Sequence, residues 1–157
     1  MASTDTPVRV TIQPSVDELK SRLANQRQRV TNLRSPMSAA AVYLDQWVQR
    51  NFKSEGEAVG GWKPFSEKTL SIIARTDKKR TNPKLLKRSG ALRLSYLPRA
   101  DDSLAGIGSE LPYAADHQYG KAPTPARPML PLKNPALSEV TAKAQSIFNA
   151  HALRAIK

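Results

Sequence analysis

The chain contains no cysteine, which excludes a disulfide framework, a thiol nucleophile and a thiolate metal site. Histidine is nearly absent: His117 and His151 are the two, too few for a polyhistidine zinc cage. The longest apolar runs are a few residues, far short of the roughly 20 a membrane helix needs. No signal-like apolar stretch opens the sequence, and a reducing compartment or indifference to redox state is expected. Leu, Ile, Val and Phe number only 33 of 157 residues, just above the roughly 20% below which highly charged chains stay unfolded. The length suits one domain with tails or arms, and the core it can build is modest. Part of its burial is expected to come from a partner.

Acidic residues are scarce too, 13 against 25 basic ones, for a net charge of +12. The excess is local. Residues 1–60 carry 8 basic and 6 acidic groups, residues 61–100 carry 11 and 2, and residues 101–157 carry 6 and 5. At its centre lie Arg75, Lys78, Lys79, Arg80, Lys84, Lys87 and Arg88. Such a segment attracts phosphates or an acidic protein surface equally well, or serves only as a solvated, mobile loop. No aromatic residue lies between Phe65 and Tyr96, so stacking on exposed bases is not supported there.

What is present reads as α+β. Residues 1–14 form a polar arm in which Val8, Val10 and Ile12 alternate, as in an edge strand or an extended arm that docks on a neighbour. A single domain is expected over residues 15–153. Ser15 and Glu18 make a capping box, and Val16, Leu19, Leu23, Val30 and Leu33 recur at helical spacing over 16–34. Ser35-Pro36 suggests a cap and first helical residue for a second helix to Phe52, with Met37, Ala40, Ala41, Leu44, Trp47 and Val48 on one face. The two apolar faces almost keep register. Pro36 therefore either kinks one long helix or separates two, and the missing glycine argues for a kink or small corner.

Trp62 and Phe65 plug the open end of the helices, and Ser66 caps a short helix carrying Leu70, Ile72 and Ile73. A further short helix is expected from Asn82 or Pro83 through Leu86, ending at Ser89-Gly90. Leu92, Leu94 and Tyr96 then alternate as a strand, Pro98–Asp102 turn, and 103–108 return. Residues 111–120 read as a helical turn ended by Gly120. Five prolines over 121–135 make an extended crossing in which Met129, Leu130 and Leu132 could add an edge strand. Asn134 and Pro135 start a C-terminal helix whose apolar face is Leu137, Val140, Ala144, Ile147, Phe148 and His151. That helix is expected to pack on the small antiparallel sheet.

No constellation of catalytic residues emerges. Asp116 and His117 are adjacent, and neighbours in sequence do not face each other on a helix, so they do not build an acid–base pair. Asp101-Asp102 suits a hairpin turn better than a cation site, and Gly106 and Gly108 lack a phosphate loop's context. The protein is read as a non-enzyme with no cofactor and no metal.

Four segments carry a resemblance: Gly61-Trp62-Lys63-Pro64-Phe65-Ser66 with Thr69; Leu85-Leu86-Lys87-Arg88-Ser89-Gly90-Ala91-Leu92-Arg93; Gly108-Ser109 followed by Tyr113 to Gly120; and Pro125-Ala126-Arg127-Pro128-Met129-Leu130. In this order, over roughly residues 15–150, they resemble the phage virion morphogenesis family, the tail-completion proteins of Mu-like and P2-like phages. They are also similar to small neck proteins that join head to tail. Met129 stands where family members often have Phe or another apolar residue.

The resemblance implies a virion component of the neck or tail end, present in the host cytoplasm during assembly and acting in a ring. It implies self-association and contact with neck proteins such as a tail terminator, the tail tube or a portal-side connector. It implies neither a membrane nor a small-molecule substrate. Trp47, Trp62, Phe65, Tyr113, His117, Tyr119, Gly120 and Arg127 become structural or interface candidates, with Arg127 anchoring the crossing on a carboxylate or carbonyl. The basic segment would meet an acidic partner ring or, non-specifically, genomic DNA.

Overall fold

The computed structural model describes residues 15–77 and 81–156. The alternating Val8, Val10 and Ile12 of the arm lie outside that range, as do Lys78, Lys79, Arg80 and Lys157. The element order is α1 (Val16–Thr31), α2 (Arg34–Lys53), a 3-10 turn (Glu57–Val59), α3 (Glu67–Thr76), α4 (Ala91–Leu94), β1 (Tyr96–Ala100), β2 (Ala105–Ser109), α5 (Tyr113–Tyr119) and α6 (Ala136–Ile156). The class is α+β, as the patterning predicts.

Local signals place the helix starts. Ser15 Oγ accepts from the Glu18 amide at 3.2 Å, and Ser66 Oγ accepts from that of Thr69 at 3.2 Å. The break between the first two helices falls at Asn32, whose ψ of 90° is extended. Proline clashes with the carbonyl four residues upstream, so Pro36 breaks the helix at Asn32 rather than at itself. α2 accordingly starts at Arg34, ahead of the expected Ser35-Pro36 cap, and Pro36 sits in a first turn that needs no amide from it. Two helices result, and both lie against α6.

α2 is the central element. The hairpin β1–β2 packs along one side of it and α6 along another. This corrects the expected placement of the C-terminal helix, which packs mainly on α2 and α1 rather than on the sheet. Its buried side carries Ala136 and Ala155, with Val140, Ile147, Phe148 and His151 half-buried, while Leu137 turns outward. Glu139 fastens α6 to α2 by accepting from Tyr43 Oη at 3.0 Å, Trp47 Nε1 at 3.3 Å and Arg50 Nη2 at 3.0 Å.

The antiparallel hairpin pairs Tyr96 with Ser109, Pro98 with Ile107 and Ala100 with Ala105 on the α2 side. Leu97 opposite Gly108 and Arg99 opposite Gly106 fall on the outer side. Asp101 closes the turn. Its carboxylate accepts from the Ser103 and Leu104 amides, both at 2.7 Å, and from the Ser103 hydroxyl. These bonds hold the Asp101 carboxyl below its usual range.

Three expected elements differ. Residues 83–86 form no helix, because Leu86 is left-handed at φ 55° and the Leu85 amide is taken by Glu55 Oε1 at 3.1 Å. Residues 91–94 are a helical turn rather than strand: Leu92 and Tyr96 are buried one turn apart while Leu94 points outward. Met129 and its neighbours add no strand; Lys121 and Thr124 form an isolated bridge, and Met129 is fully buried.

Aromatics centre the core. Phe52 meets Trp62 edge-on at 5.4 Å and Tyr96 at 5.9 Å. Trp47, Val48, Leu85, Leu92, Ala114, Met129 and Ala136 complete the cluster. Burial and the charge of Tyr119 push the Tyr96 hydroxyl up to about 12, so it stays neutral.

Candidate functional site

The proline crossing is tied down by side chains from three directions. Pro128 O accepts from Trp62 Nε1 at 2.8 Å and from Asn51 Nδ2 at 3.1 Å. Gln118 Oε1 accepts from the amides of Met129 at 2.8 Å and Leu130 at 3.0 Å. Arg127 donates from Nε to Lys63 O at 2.9 Å and from Nη2 to Pro64 O at 3.3 Å, with its guanidinium 5.6 Å from the Phe65 ring centre. Two glycines allow the close approaches. Gly120, at φ 81°, backs onto the Ala126 amide, and Gly56, at φ 89°, lies against the Trp62 ring.

This scaffold frames an apolar groove of about 490 Å³. One wall is α3, with Thr69, Ile72, Ile73 and Thr76; the other is Leu86, Leu92, Tyr113 and His117. Phe65 and Arg127 form its inner end, and Asp77 and Arg88 stand on its rim. Ile72 and Tyr113 remain about two-fifths exposed, so the groove is uncovered apolar surface. Tyr113 meets the His117 ring edge-on at 6.1 Å. The His117 carbonyl accepts from the Arg127 amide at 2.7 Å, while its Nδ1 is buried without a partner. Burial first, then the Arg127 charge, lowers the His117 pKa against the opposing pull of Asp116, so the ring is neutral near pH 7.

The structure divides the basic segment. Arg75 lies in the last turn of α3, and Arg88 faces the groove. Lys87 turns the other way and donates to Lys53 O at 3.4 Å. There it joins Arg50, Lys53 and Arg93 around a shallow depression of about 480 Å³. Arg50 is partly neutralised by Glu139, and Arg93 donates to Gln49 at 2.9 Å. Lys84 is exposed. Tyr119 is among the most exposed aromatics at 71%, Gly120 caps α5, and Trp47 is buried in the core.

Sequence reasoning missed Asn51, Gln118 and Glu139 as organisers. Asn51 and Gln118 are polar and buried within helices, and that mismatch was the available signal, whereas Glu139 is exposed and gave none. Among the described residues, no group of His, Asp and Glu could hold a metal ion. No described helix is long and apolar enough to cross a membrane.

Comparison with curated proteins and with solved structures finds no match. The sequence profile described as the phage virion morphogenesis family matches residues 14–149, nearly the whole described body and all four motif segments. The four segments within that range build the crossing, its anchor and the groove wall. The chain belongs to the phage virion morphogenesis family, which assigns it to the assembly of the phage particle.

Proposed function

We propose that this protein is a structural, non-catalytic subunit of the phage neck or tail end. It assembles as a ring that completes the tail, joins it to the head, or both. The observation that carries this reading is a folded body of the virion morphogenesis family with uncovered apolar surface on α1 and in the α3 groove. A monomer gains nothing from such surfaces; a subunit with neighbours does. The groove, apolar inside and edged by Asp77 and Arg88, suits an apolar side chain flanked by charges of both signs on an adjoining virion protein. Deleting the gene from the phage should yield filled heads with defective or unjoined tails in the lysate. Normal infectious particles without the protein would overturn the reading.

A second reading, contact with duplex DNA through the basic segment at residues 75–88, draws on Lys87 of that segment gathered with Lys53 and Arg93. It requires submicromolar binding that weakens steeply with salt and is lost when Lys78, Lys79, Arg80 and Lys84 are neutralised. Unchanged binding by that variant at low salt counts against it.

A further inference from the structure

α1 has 16 residues and buries none of them. A helix of that length is marginal alone in water, and helices normally draw their stability from packing an apolar face. Its last turn leans on α6, where His151 Nε2 lies 3.2 Å from Arg29 O. Nearer its start, Val16, Leu19 and Leu23 are 60%, 42% and 63% exposed along one stripe.

A second uncovered surface has a matching shape. The outer side of the hairpin presents Leu97, 54% exposed, and Leu104, 59% exposed, around Gly106 and Gly108. Glycine weakens a strand, so its presence asks for a reason. Backbone conformation is not the reason, since neither glycine has a positive φ. Internal crowding is not the reason either, because a Cβ at either position would meet nothing within 4 Å. What remains is close approach by something outside the protomer.

We infer that the apolar stripe of α1 packs on the glycine-floored outer face of the β1–β2 hairpin of a second copy of this chain. The stripe spans roughly 10 Å of helix, which lies within the roughly 17 Å of the five-residue strands. The charges agree as well. α1 carries four basic and two acidic residues, net +2; residues 96–110 carry Arg99 against Asp101, Asp102 and Glu110, net −2. The α3 groove fits α1 less well, since its rim sets Asp77 beside Arg88 and offers the basic helix no net negative charge. α1 against α1 would set like charges together. Helix and hairpin are different surfaces, so a single contact is head-to-tail and leaves the pair with one free helix on one copy and one free hairpin on the other. Such contacts repeat, and they close into a ring where the rotation between successive copies closes. The inference rests on the ring reading and supplies its interface.

The cysteine-free chain makes the test direct. Leu23→Cys and Leu97→Cys are made as separate single variants of the full chain, both at exposed positions. Under mild oxidation, a mixture of the two should give a disulfide-linked dimer in far greater yield than either variant alone. A second arm uses the Gly106→Val, Gly108→Val double variant. It should keep or raise the thermal midpoint, since β-branched residues favour strands, while self-association weakens about tenfold or more. Self-linking of the Leu23→Cys variant, or native-strength assembly by the valine variant, would overturn the interface. An assembly that forms without cross-linking in the mixture overturns the interface and leaves the ring reading standing. A chain that stays monomeric at high concentration overturns both.

Discussion

Gln118 offers a sharp test of how the proline crossing is held. Its Oε1 accepts from two backbone amides, Met129 N at 2.8 Å and Leu130 N at 3.0 Å, while its Nε2 sits 3.5 Å from Leu130 O. Met129 is fully buried and Leu130 half-buried, so water has little access to replace the lost acceptor. Gln118→Met keeps the length of the side chain and removes both acceptor contacts. An orphaned buried donor costs about 1–3 kcal/mol. Counting the Met129 amide in full and that of Leu130 in part gives a loss of about 3 kcal/mol. For a chain of this size the thermal midpoint should fall by roughly 6–12 °C. Urea unfolding followed by the fluorescence of Trp47 and Trp62, both buried in the same core, reads the change directly. A loss below about 0.5 kcal/mol, with an unchanged urea slope, would refute the claim that Gln118 alone satisfies these amides.

Two further outcomes follow from local geometry and charge. Gly56→Ala and Gly60→Ala share a left-handed backbone, at φ 89° and 91°. Only Gly56 backs onto the Trp62 ring, where an added Cβ would lie 2.2 Å from Cδ1. Gly60→Ala should therefore cost about 1 kcal/mol of backbone strain, and Gly56→Ala clearly more, in the same urea assay. His117 has a lowered pKa in the folded protein, so the unfolded chain takes up the proton first as pH falls. Its contribution is intact above the ordinary value of 6.5 and is lost as pH drops through the depressed folded value. His117→Gln should flatten the stability profile below pH 6.5, and an unchanged profile would show that the ring is not desolvated.

Much of the outline was legible in the chain because its signals are local. Ser15 and Ser66 announce helix starts through hydrogen bonds that span three residues. Gly120 ends α5 because its φ of 81° favours glycine. The hairpin is legible too, but its first strand begins at Tyr96, later than the alternation suggests. Alternation of Leu92, Leu94 and Tyr96 also puts Leu92 and Tyr96 one helical turn apart, and burial chose the helical turn. The partner of α6 could not be read, since an apolar helix face fits a sheet and another helix equally well. The contacts among Glu139, Tyr43, Trp47 and Arg50 decided it.

By itself, the sequence determined the chemistry that is excluded, the concentration of positive charge in one quarter of the chain, the amphipathic helices and the family's ordered motifs. Those depend on composition and on neighbours a few residues apart. Tertiary structure decided what the prolines of the crossing are for. Asn51, Trp62 and Gln118 meet the backbone of 128–130 across separations of 77, 66 and 11 residues. Such partners are set by packing, because a buried polar backbone must find a donor or acceptor wherever the fold brings one. It also turned a single basic run into two differently facing surfaces, Arg88 on the groove and Lys87 beside α2, because these consecutive residues lie outside any helix and their side chains point to opposite sides.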